Sequence, residues 1–136
     1  MGKKLAAVAI AAVTADKGFE RGSGYCQKWV RQCVQKLHGH RFDEYFKGSA
    51  VETMEAFRDS PYAVKVSEGS VPGDILYKGR KTSGTYGHTG IRVPGNRVAE
   101  NSSSHVSEGD RDARGFRSLD AYGSYELIVR IPDPAK

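Results

Sequence analysis

Cys26 stands in the run GSGYCQKWVRQCVQKLHG, where a glycine-rich stretch meets the first turn of an amphipathic helix. A helix N-terminus carries a partial positive charge and unpaired N–H groups, which favour a thiolate over a thiol. The same N–H groups can hold a developing oxyanion. Attack on an amide also needs a base to activate the nucleophile and a group to fix the tautomer of that base. His88, in Tyr86-Gly87-His88-Thr89-Gly90-Ile91, is the candidate base at the start of a predicted strand. Its flanking glycines mark close approach of another chain or a ligand. Glu100 and Asn101 follow on the next strand and compete for the orienting role. Strand alternation lets only one of them face the His88 side. A tight two-residue turn at Pro94-Gly95 pairs His88 with Asn101, whereas a longer or bulged turn brings Glu100 to it. Nucleophile, base and orienter in this chain order point to a cysteine hydrolase.

The remaining thiol and imidazoles have plainer explanations. Cys33 lies two turns into the apolar face of the same helix, where a small buried residue is expected. The two cysteines are separated by roughly 10.5 Å along the helix axis, too far to be bridged. Both are therefore free thiols. His38 and His40 suit a helix C-terminus, where a cationic imidazole is favoured. His105 falls in a polar loop and is expected to be solvated. Cys26, Cys33, His38 and His40 do not read as zinc ligands, because a C-x6-C spacing on one continuous helix is wrong for structural zinc. No metal or cofactor is expected.

Three helices and a series of strands must position these groups. The first helix covers about residues 3–16 and is rich in alanine. MGKK followed by LAAVAIAAV also has the parts of a signal peptide, but the apolar run is short and a helix is the favoured reading. The second helix runs from Cys26 to His38 and stops at Gly39. Its Cys26, Val30, Cys33 and Leu37 share one face, which Trp29 and Val34 widen. The third covers Ala50–Asp59, with Ser49 and Glu52 as a capping box and Ser60-Pro61 as its end. Strands are predicted at Val64–Val66, Asp74–Tyr77, His88–Val93, Arg97–Asn101 and Tyr125–Ile131. Segments 78–87 and 102–124 read as loops. Helices followed by antiparallel strands make an α+β layout. With no repeat and no linker, one domain over 1–136 is expected.

Composition sets the surroundings. The chain has 136 residues, 38% of them hydrophobic, enough to fold without disulfides. Its net charge of +5 suggests a polyanionic partner: nucleic acid, phospholipid or an anionic cell-wall polymer. No stretch is long enough to span a bilayer. Basic and acidic residues are interleaved, and no phosphate-cradling loop or aromatic RNA-binding motif is present, which weighs against a nucleic-acid-binding domain.

Four motifs recur in order: Gly24-x-Cys26 with Trp29 and Val30 behind it; Pro72-Gly73-Asp74-Ile75-Leu76; Gly87-His88-x-Gly90-Ile91; and Val98-Ala99-Glu100-Asn101-Ser102. On these the chain resembles the CHAP amidase family and the wider NlpC-type clan of papain-like cell-wall cysteine hydrolases. The resemblance covers nearly the whole chain. It implies a papain-like fold with N-terminal helices packed on a small antiparallel sheet. It implies Cys26 as nucleophile, His88 as base and Glu100, with Asn101 second, as orienter. The implied substrate is an amide of peptidoglycan, either within the stem peptide or between muramic acid and alanine. The enzyme is expected to act on the cell wall as a monomer, without membrane insertion. Three departures stand out: Gln27 follows the nucleophile, Phe19 lies where an upstream tyrosine is expected, and no glutamine precedes Cys26. The oxyanion must then be held by the Cys26 N–H with the Tyr25 or Tyr86 hydroxyl. The same triad on a protein substrate, as in a cleaving or deamidating effector, is the alternative.

Overall fold

The computed structural model describes residues 2–22, 24–105 and 112–135. Helix α1 spans Lys3–Thr14 and buries Leu5, Ala6, Ala9, Ala12 and Val13. Helix α2 spans Cys26–His38 and buries Trp29, Val30, Cys33 and Val34. The Gly39 N–H closes it on the Gln35 carbonyl at 2.8 Å. Helix α3 spans Ala50–Arg58 with its capping box formed: Ser49 Oγ accepts from the Glu52 N–H at 3.2 Å and donates to Glu52 Oε1 at 3.0 Å.

Among the described residues six strands follow: β1 Ala63–Val64, β2 Ile75–Lys78, β3 His88–Val93, β4 Arg97–Asn101, β5 Arg114–Ser118 and β6 Leu127–Val129. They form one antiparallel sheet in the order β1-β6-β2-β3-β4-β5. The α+β class read from the sequence is therefore the observed one. Short helices α4, Arg80–Ser83, and α5, Leu119–Tyr122, sit in the connections. Among the described residues no helix is long and apolar enough to cross a membrane.

The sheet has two working faces. Ile75, Tyr77, Ile91, Val93, Ala99 and Val129 form the main core with the helices. On the other face Leu76, Val98 and Ile128 pack with Tyr122 of α5. Trp29 and Val30 are fully buried in the main core, one turn behind Cys26. Burying each such side chain stabilises by about 1.5–3 kcal/mol, so the start of α2 is firmly seated.

Several expectations are corrected. Segment 102–124 holds β5 and α5, and the part of it at 106–111 lies outside the described residues. The R-G-F-R-S run of β5 has one apolar residue, Phe116, and so lacks the alternation that marks a strand; it pairs with β4 all the same, and its arginines are satisfied by distant partners. Arg114 donates to the carbonyls of Ala12 at 2.8 Å and Ala15 at 2.5 Å, which ties the last turn of α1 to the sheet. Phe116 lies beneath the Arg97 guanidinium, 4.4 Å from its ring centroid. Segment 78–87 holds α4. The predicted strand at 64–66 is shorter, with a 3-10 turn over Val66–Glu68. Asp74 lies just ahead of β2, where its carbonyl accepts the Arg92 N–H at 2.8 Å while its carboxylate holds the preceding turn. The carboxylate accepts the Val71 N–H at 2.8 Å and two Arg130 bonds at 2.9 Å.

Candidate active site

The β3–β4 hairpin decides which residue meets His88. Val93 pairs with Arg97, so the loop has three residues, Pro94, Gly95 and Asn96. That extra residue turns Glu100, and not Asn101, to the His88 side of the sheet. His88 Nε2 lies 2.6 Å from Glu100 Oε1. Asn101 faces the helices, and its amide donates to the Gly22 carbonyl at 3.0 Å.

Gly87 delivers the chain to His88. Its φ is +71°, a left-handed conformation that favours glycine. A Cβ there would also lie 2.3 Å from the Lys78 carbonyl oxygen and 2.8 Å from Val51 Cγ2. The glycine before the imidazole thus serves close backbone packing.

The His88 imidazole is shared between two partners. Its Nε2 is bonded to Glu100, and Cys26 at the start of α2 lines the same cleft and acts on the ring from there. An ionised carboxylate only accepts, so Nε2 carries a proton toward Glu100. This leaves Nδ1 as the nitrogen free to accept a proton. Burial alone would lower the His88 pKa, but the bonds and charges of Cys26 and Glu100 outweigh it and raise it above the usual 6.5. Burial likewise pushes the Glu100 carboxyl up, yet His88 and Arg117 overcome it and hold the carboxyl at about 2.

Two residues of this cluster were missed by sequence reasoning. Arg117 of β5 reaches Glu100 through Nε at 2.5 Å and Nη2 at 2.8 Å. His105 is not solvated as expected; its Nε2 lies 2.9 Å from Glu100 Oε2. Both come from the segment read as a loop. The signal available was the charge itself: a glutamate on a buried strand needs cationic partners.

Cys26 and His88 open into a cleft of about 900 Å³. Its walls include Gln27, Ser49, Lys78, Tyr86, Asn101 and Arg117, together with the hydroxyl-rich run Ser102–Ser104. Tyr86 is three-quarters exposed at this wall, so its hydroxyl is free to reach a bound group. Tyr25 is half-exposed and lies outside the lining, with the Lys28 ammonium 5.8 Å from its ring centroid. Gln27 is buried and donates to the Lys47 carbonyl at 3.1 Å. Cys33 is fully buried, which pushes its thiol pKa well up. His40 pairs with Asp43 at 2.7 Å, and His38 packs edge-on against Phe42. A second depression, about 1020 Å³, lies along α3 between Lys47 and Glu126; its lining contains neither cysteine nor histidine.

No protein-family model matches the chain, and no curated protein matches it. Among solved structures, the chain is similar to the NlpC/p60 domain of peptidoglycan hydrolase SagA, with a TM-score of 0.58. The match covers 96% of this chain and 99% of that one at 15% identity. At that identity the likeness is one of fold, and the chain has the papain-like α+β architecture of an NlpC/p60 domain.

Proposed function

We propose that this protein is a cysteine hydrolase that cleaves an amide bond of bacterial peptidoglycan. The observation that carries the reading is His88, set in one cleft with the thiol at a helix start and bonded to a buried, ionised carboxylate. Its occurrence on a fold shared with a domain of a peptidoglycan hydrolase supports the substrate. Glu100 stands 12 residues after His88, the spacing that the CHAP resemblance implies for an orienter.

In this reading His88 Nδ1 takes the Cys26 proton and the sulfur attacks the amide carbon. The carbonyl oxygen becomes an oxyanion, held by the N–H groups at the start of α2 and by Tyr86. His88 returns the proton to the departing amine as the C–N bond breaks, leaving a thioester on Cys26. A water then attacks that thioester, His88 accepts its proton, and the acid leaves as the thiol is restored. Glu100 holds the imidazole in one tautomer throughout.

The test is digestion of purified cell walls and of unfolded protein substrates under reducing conditions, with products identified by mass. A new free amine within the stem peptide, or at the alanine released from muramic acid, names the bond. Cleavage or deamidation of proteins with walls left intact would replace the substrate by a protein.

A further inference from the structure

We infer that Arg117 and His105 are positioning residues for the Cys26–His88 pair, clasping Glu100 so that the imidazole has one orientation. This rests on the hydrolase reading for its chemistry, but the geometry of the clasp is independent of substrate.

Each Glu100 oxygen is bound twice. Oε1 takes His88 Nε2 at 2.6 Å and Arg117 Nη2 at 2.8 Å. Oε2 takes His105 Nε2 at 2.9 Å and Arg117 Nε at 2.5 Å. These four bonds use about four lone-pair sites, the full accepting capacity of a carboxylate. The guanidinium fork is planar and bidentate, so it fixes the carboxylate plane as well as its position. A carboxylate that cannot turn holds an imidazole that cannot turn. Glu100 is wholly buried, and its charge would be costly there without these partners.

The sheet register builds the clasp. Val98 pairs with Arg117 and Glu100 pairs with Gly115. Gly115 and Arg117 therefore share the Glu100 face, while Arg114 and Phe116 face the helices. Gly115 has no Cβ, and one placed there would lie 2.7 Å from His105 Nδ1. The missing side chain is the space in which His105 lies. His105 also ends the turn Ser103–His105, and Ser102–Ser104 line the cleft. Its bond to Glu100 ties that wall to the same carboxylate that orients the base. Arg117 is itself propped by the Tyr122 ring, 5.2 Å from its guanidinium, with Lys78 over the same ring at 4.4 Å.

The experiment compares wild type with Arg117→Ala, Arg117→Lys and His105→Ala, each checked by circular dichroism and thermal melting. The first readout is the rate of Cys26 alkylation by iodoacetamide at neutral pH, measured by mass spectrometry of the Cys26 peptide. The second is kcat and KM on solubilised wall fragments. Arg117→Ala should slow alkylation about tenfold or more, about the effect of one charge-assisted hydrogen bond, and should lower kcat with KM nearly unchanged. Added guanidinium ion should restore much of the rate, and Arg117→Lys should fall between. His105→Ala should slow alkylation and lower kcat in the same sense but less, because Arg117 still holds both Glu100 oxygens; an effect on KM alone would remove His105 from the clasp. Alkylation independent of Arg117, or an Arg117→Ala loss confined to KM, would overturn the proposal, since it would make the guanidinium a substrate contact or a bystander. Should Arg117→Ala not fold, a wild-type alkylation rate in Arg117→Lys and in a folded Gly115→Ala would overturn it equally. Wild-type protein that is inactive on walls, yet shows Arg117-dependent alkylation, would keep the clasp and discard the peptidoglycan reading.

Discussion

Glu100 is an ionised carboxylate with no exposed surface, and that fact governs the chemistry around it. Its partners hold it near 2, and Cys26 and Glu100 together outweigh burial and raise His88 above 6.5. Both shifts make stability depend on pH. The Glu100 contribution is fully present above the ordinary carboxyl range and is lost as pH falls from about 4.5 toward about 2. The His88 contribution is fully present below 6.5 and is lost as pH rises through its raised folded value. Thermal melting across pH should show both limbs. Glu100→Gln should flatten the acidic limb and also weaken the alkaline one; unchanged limbs would mean the pair is not coupled. The two thiols should separate as sharply. Iodoacetamide should label Cys26 far faster than the fully buried Cys33. Cys33→Ala should instead cost roughly 1 kcal/mol of stability, as a small core truncation. Equal labelling of both would contradict the placement of Cys26 at the cleft.

The elements that carry Cys26 and His88 were legible because local rules decide them. The apolar stripe of α2, its stop at Gly39 and the capping box of α3 each follow from short-range chemistry. β3 and β4 were legible with their bounds for the same reason. The choice between Glu100 and Asn101 was not, because it hangs on one residue in a turn: whether Asn96 belongs to the loop or to the strand. β5 was illegible for a deeper reason. Apart from Phe116, its side chains are polar or absent where a strand normally shows apolar alternation, and their partners lie far off in sequence. Arg114 reaches back about a hundred residues to α1, and Arg117 reaches Glu100. Arg114→Ala should therefore destabilise the fold by about 2 kcal/mol, since it leaves the buried Ala12 carbonyl and the half-buried Ala15 carbonyl unpaired. The rate of Cys26 alkylation should stay near wild type in that variant. A stable Arg114→Ala protein would mean that α1 is held by its apolar face alone.

At the scale of the whole molecule, an excess of five positive charges surrounds a local reaction. If the substrate is an insoluble polyanion, that charge aids capture, and exposed charges are screened over about 8 Å at physiological ionic strength. Hydrolysis of purified walls should fall as salt rises, while hydrolysis of a small uncharged stem-peptide analogue should change much less. Equal salt dependence of the two would refute a capture role for the charge. The claim beneath all of this is that the Cys26 thiol, activated by His88, opens an amide of the wall. It is tested most directly by amine release from purified peptidoglycan in the presence of a reductant, comparing wild type with folded Cys26→Ala. The wild type should release amine and lower turbidity, and Cys26→Ala should do neither. Amine release by Cys26→Ala at the wild-type rate would contradict the account.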